Sequence, residues 1–278
     1  MEVIISMLED SAYAVIAFVF MFVAKKLDDF RTSYNEDREI EEESNLALGF
    51  RKAGFSVALA IGFLGSISSL TEEFVPNVVG LLIDGALLVV IMFAARMVND
   101  LVLLRKIDND QAVKDRNVAV GMAEFGSLVA TGLVMNGAFS GEGGGIPSVL
   151  LFAVLGQICL VVLAVIYEFI TPFKVGEEIK KNNPAAGIGL AGMLIALGII
   201  LRASIAGDYV SMVDDVIAFS LCAGMGIVLL LIMRKAVDIF FLPHTTLATE
   251  VARDQNAAAL LVAQGAVVAV AILIAAVV

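Results

Sequence analysis

Long apolar runs alternate with short polar stretches along the whole chain. Runs of about 20 residues with few or no charges recur at 3–24, 46–67, 74–95, 118–139, 147–170, 185–205, 210–233 and 257–278. Each is long enough to cross a ~30 Å hydrocarbon core as a helix. Segments of about ten residues with alternating polarity, the mark of a transmembrane barrel, are missing. The pattern predicts an all-α, polytopic helical membrane protein with eight transmembrane helices.

The polar punctuation is itself periodic. "SNLALGFRKAG", "RNVAVGMAEFG", "NNPAAGIGLAG" and "QNAAALLVAQG" align on Asn45, Asn117, Asn183 and Asn256. Two residues past each asparagine stands Ala47, Ala119, Ala185 or Ala258. Nine past stands Gly54, Gly126, Gly192 or Gly265, and thirteen past stands Ala58, Ala130, Ala196 or Ala269. Twenty past, the residue is Gly65, Gly137, Ala203 or Ala276. The chain thus reads as four helical hairpins, 1–73, 74–145, 146–208 and 209–278, all crossing in the same direction and together forming one membrane domain.

At about 100° per residue the recurring small residues fall within an arc of roughly 40°, one narrow stripe on each even-numbered span. Helices in lipid associate through close backbone approach, so the stripe predicts a helix–helix contact. A lining that leaves space for a solute is the alternative. Each asparagine is placed to cap its helix, and Pro184 after Asn183 sits where a first-turn proline is favoured. Glu39, Gln111, Glu177 and Glu250 each stand six places before an asparagine. A ring of four asparagines coordinating a ligand at one mouth is the sharper reading.

Composition agrees with the pattern. The chain is 60% hydrophobic with a mean hydropathy of +0.94, against roughly 45–50% apolar in soluble domains. The start, "MEVIISMLED", has acids and no basic flank, so the first run is expected to be a retained span and not a signal peptide. Of 18 Lys and Arg, only Arg202 stands away from the loops after spans one, three, five and seven. By the positive-inside rule those loops are cytoplasmic and both termini outside. The net charge of −11 disfavours nucleic acid. Cys159 and Cys222 read as small core residues, not a disulfide.

Ionisable groups within a span mark function or a specific partner. Asp84 lies near mid-membrane, either a stop for a proton or cation or a neutral interhelical hydrogen bond. Glu124 and Lys52 stand equally far past their asparagines, which predicts a cross-repeat ion pair at similar depth, with Arg51 as the alternative cation. Gln157 and Gln264 are expected to be interhelical glue, and Asp10, Asp214 and Asp215 to lie at the outer interface. His244 beside Pro243 has no companion ligands, and "SGEGGG" at 140–145 reads as a flexible turn. No catalysis, cofactor or metal is expected.

The segment "YEFITPFKVGEEIKKNNPAAGIGLAGMLIALGIILRASIAG", 167–207, resembles the repeat of the bacterial domain of unknown function 350 family. The resemblance rests on Tyr167, Glu168, Thr171, Pro172, Phe173, the Asn183–Pro184–Ala185 start and Gly192; the other repeats lack the Thr-Pro-Phe turn. It implies a multi-pass inner-membrane protein of unassigned biochemistry, encoded near proteins resembling phage-shock-protein A and near ATP-grasp ligases. Two functions then stand: a packed scaffold linked to membrane stress or integrity, which docks a cytoplasmic or membrane partner through loops 28–44 and 99–117; or an ion or small-solute channel or transporter using Asp84 and Glu124. Lipid is the expected surround, and a homo-oligomer stays open.

Overall fold

The structure, a computed structural model, describes residues 2–32, 34–105, 107–141, 143–241 and 245–277. His244 and Pro243 lie outside the described residues. The helices are α1 (Glu2–Arg31), α2 (Glu36–Glu41), α3 (Leu46–Ser68), α4 (Phe74–Val98), α5 (Asn109–Lys114), α6 (Val118–Phe139), α7 (Gly145–Ile170), α8 (Val175–Lys180), α9 (Pro184–Ile205), α10 (Met212–Phe241), α11 (Leu247–Ala252) and α12 (Ala257–Ala275). A π-helical turn, Asn99–Leu103, continues α4. Among the described residues eight of these helices are long and apolar enough to cross a membrane.

The eight spans fall where the apolar runs predict, but α1, α4 and α10 run on past residues 24, 95 and 233. Their extensions, such as "KKLDDFR", hold no Gly or Pro to break the helix and begin with the good formers Lys25, Lys26 and Leu27, and a helix need not end where hydrocarbon does. The six-residue helices α2, α5, α8 and α11 are too short to show apolar periodicity. Each ends one tight turn before an asparagine. Ser44, Arg116, Asn182 and Gln255 there adopt φ of 51°, 63°, 61° and 49°. This left-handed residue closes the short helix and starts the long one.

The long helices form two layers. In one, α3, α6, α9 and α12 pack side by side in chain order, all pointing the same way. In the other, α4 bridges α3 and α6, α7 bridges α6 and α9, α10 bridges α9 and α12, and α1 leans on α3 and α4.

Glycine sets the spacing of the first layer. A Cβ on Gly54 would stand 2.7 Å from Phe125 Cα, one on Gly132 2.6 Å from Ala58 Cα, and one on Gly198 2.8 Å from Ala130 Cα. No side chain fits between these backbones, so dispersion and not apolar burial holds the row. On α3, α6 and α9 the recurring small residues lie in the interface with the next helix of the row or beside it. On α12 the equivalent Ala258, Gly265, Ala269 and Ala276 are exposed.

Candidate functional site

Each asparagine side-chain oxygen caps its own helix, accepting from Leu48, Val120, Ala185 and Ala259 N–H at 3.2, 3.0, 3.1 and 3.2 Å. The amide of the first three also reaches the next repeat. Asn45 Nδ2 donates to Val113 O at 2.9 Å, Asn117 to Ile179 O at 3.0 Å and Asn183 to Val251 O at 2.8 Å. Those carbonyls belong to the short helices α5, α8 and α11, so one residue caps a long helix and ties it to its neighbour. The asparagines therefore stand in a row with their polar atoms committed, and not in a ring around a ligand.

The acids ahead of them act unevenly. Glu39 and Glu250 accept from Asn45 and Asn256 at 3.2 and 2.8 Å. In the third repeat Glu178, not Glu177, takes this part at 3.0 Å, since α8 ends one residue closer to its asparagine. Gln111 instead donates to Asp115, the residue that follows α5.

Beneath the first two short helices lies a buried ionic network. The expected Lys52–Glu124 pair is not formed. Glu124 is clasped by Arg51, whose Nε and Nη2 both donate to it, the latter at 3.0 Å. Arg51 Nη1 also meets Asp110 at 2.6 Å and Nη2 donates to Asn109 O at 3.0 Å. Lys52 turns the other way, to Asp28 at 2.7 Å, Asp29 at 3.3 Å and Glu36. The reason is geometric. Equal positions on parallel repeats point in equal directions, not at each other, and one residue is about 100° of rotation. Arg51 stays near the α6 side of α3, whereas Lys52 faces α1.

Arg96 completes the network by joining Asp28 and, at 2.8 Å, Asp110. It belongs to the site although its place at the end of an apolar run suggested only a loop flank. Arg51, Arg96, Asp28 and Glu124 are each about 1% exposed. Burial pushes the Glu36 carboxyl up to about 7, with Lys52 pulling the other way. Burial also raises Asp110, but Arg51 and Arg96 outweigh it and hold that carboxyl below its usual range.

Other polar groups link the helices, Ser127 and Gln157 between the layers and Asn136 and Arg202 within the row. Ser127 Oγ donates to Asn99 at 2.5 Å, Gln157 to Thr131 at 2.8 Å and Asn136 to Ile61 O at 2.7 Å. Arg202 Nε donates to Asn136 at 2.6 Å. Gln264 differs from the expected glue: its amide is buried with no hydrogen-bond partner among the described residues and packs against Gly192, where only a glycine leaves room for it. Asp84 accepts from Ser66 and lines a cavity of about 410 Å³ with Ser69, Gly80 and Asp215 near the glycine-rich loop. Asp84 and Glu124 are not brought together; apolar Phe55, Leu59 and Phe63 fill α3 between their partners. In the Thr-Pro-Phe turn, Thr171 Oγ1 donates to Tyr167 O at 2.9 Å, Glu168 accepts from Gly176 N at 3.1 Å, and Arg234 sits 4.9 Å over the Tyr167 ring. Arg234 lies in the fourth repeat, so this partner could not be read locally.

These layers and their repeated polar links define a multi-pass helical membrane protein built from tandem helical hairpins. The chain belongs to the family described as Domain of Unknown Function (DUF350), whose model matches residues 4–139 and again 142–278. Each match spans two hairpins. The chain is also 24% identical over 229 residues to the UPF0719 transmembrane protein of Aquifex aeolicus (strain VF5), over 81% of this chain and 83% of the relative. No solved structure matches it.

Proposed function

We propose that the protein is a non-catalytic scaffold of the bacterial inner membrane, with its short-helix end and most of its basic residues in the cytoplasm and both termini outside. The observation that carries this reading is the close packing of α3, α6 and α9, backbone against backbone, with the buried charges neutralised by one another. Such a row holds a fixed shape, which suits a platform more than a moving carrier. The exposed polar face of α2 and its following turn, with Asp37, Arg38, Glu41, Glu42 and Glu43, would be the docking surface for a cytoplasmic partner tied to membrane integrity.

A transport reading is favoured by one observation, the Asp84 carboxylate lining its cavity. Single cysteines at Leu59 and Leu128, between that cavity and the Arg51–Glu124 pair, separate the two. With Cys159 and Cys222 replaced, both positions should resist a membrane-impermeant thiol reagent from either side while a loop control reacts. Labelling at either position would show an aqueous path and replace the scaffold with a channel or carrier.

A further inference from the structure

The contact between neighbouring repeats recurs three times along the row α3–α6–α9–α12. Gly54, Gly126 and Gly192 meet Phe125, Ala191 and Gln264 at equivalent places. Ala47 and Ala119 meet Gly121 and Gly187, and Ala58 and Ala130 meet Gly132 and Gly198. With each contact comes an asparagine amide on the neighbour's short helix. One interface therefore has two halves, a giving face and a receiving face, and every inner helix carries both.

The row ends with one half bare at each side. On α12 the giving positions Ala258, Gly265 and Ala269 are exposed, and a Cβ on Gly265 would meet nothing within 4 Å among the described residues. On α3 the receiving positions equivalent to Phe125, Gly132 and Asn136 are Ala53, Ala60 and Leu64, all exposed, and a Cβ on Gly49, in the place of Gly121, would also meet nothing within 4 Å among the described residues. Asn256 is exposed as well, whereas its three counterparts are buried.

We infer that the bare face of α12 packs on the bare face of α3 in a second copy of this chain, continuing the row head to tail. Ala269 would meet Ala60, an alanine like the buried Ala271 of α12 where α6 and α9 have Gly132 and Gly198, so the backbones stand slightly farther apart there. Gly265 would meet Ala53, and Asn256 would donate to the carbonyl of Ile40, which holds the place of Val251. The occupant is a second copy because this chain carries both halves, and its own two cannot meet. At about 100° per residue the two faces lie roughly 130° apart, so the row turns by roughly 50° per helix and needs about seven to close. One chain supplies four such helices, all bordering a single concave groove of about 600 Å³ lined by Ile61, Leu133, Ile199 and Ile272. Two chains supply about the number that closes, as heterologous contacts can when the rotation allows.

The test is disulfide trapping in native membranes of the full chain lacking Cys159 and Cys222 and carrying Ala60→Cys with Ala269→Cys. Oxidation should give a covalent species of twice the mass, and mixing the two single variants should trap the same pair. Ala269→Trp, which adds bulk only to a face exposed in the single chain, should abolish trapping between cysteines at Ala53 and Gly265 and leave the thermal midpoint of the dissociated monomer in detergent unchanged. A bridge that leaves the mass at one chain, no bridge at all, or trapping of Ala269→Cys alone with itself would each overturn the inference.

Discussion

Arg51 of α3 and Glu124 of α6 form a buried, two-pronged ion pair between neighbouring repeats, each about 1% exposed. Both were taken out of water together, so removing Arg51 strands Glu124, and removing Glu124 leaves Arg51 with Asp110 as its one remaining acid among the described residues.

Glu124→Gln should therefore destabilise the protein by about 3–5 kcal/mol, read as a lowered thermal midpoint in detergent. Arg51→Met should do the same. The double variant should cost clearly less than the sum, since no unpaired charge stays behind. Additive losses would mean the two do not act as a pair.

Glu36 makes stability pH-dependent. Its carboxyl is raised from 4.5 to about 7 by burial, so the folded chain holds that proton more tightly than the unfolded one. The contribution is full below 4.5 and is lost as pH rises through about 7. The thermal midpoint of the wild type should fall across that window relative to Glu36→Gln, whose curve should be flatter. Asp110 works in the opposite sense: lowered from 3.8, it stabilises above that value and loses its contribution as pH falls further. Asp110→Asn should remove that acid-side loss.

Asn183 and Asn256 cap equivalent helices, but only Asn183 also donates to a carbonyl of the next repeat within the chain. Asn183→Ala should cost about 1–2 kcal/mol for the cap and roughly 1 kcal/mol more for the lost amide bond. In the monomeric protein Asn256→Ala should cost the cap and the local Glu250 contact, which Asn183 matches with Glu178, but no inter-repeat bond. Equal losses in thermal denaturation would show that the inter-repeat bond contributes nothing.

Gly54→Leu should destabilise the monomer by about 1–3 kcal/mol or more, because the new side chain meets the Phe125 backbone. Gly265→Leu, at the same place in the fourth repeat, points into open space. Its effect on monomer stability should be within about 0.5 kcal/mol. Thermal melts of both variants give the comparison directly.

Much of the layout was legible because it is written in local chemistry. Apolar runs, capping asparagines and a stripe of small residues are one-dimensional patterns, each enforced by what a residue can do within its own helix. The short helices α2, α5, α8 and α11 escaped because six residues carry no usable period. Arg96 escaped because a cation at the end of a span looks like an ordinary interfacial flank.

By itself, then, the sequence determined an eight-helix membrane protein of repeated hairpins, since crossing lipid demands satisfied backbone bonds over a set length. Only the tertiary structure decided which neighbour each side chain meets. Arg51 and not Lys52 takes Glu124 because a single residue's rotation on a packed helix changes its partner. Gly54 is sealed while Gly265 lies open because a row, unlike a repeat pattern, has ends.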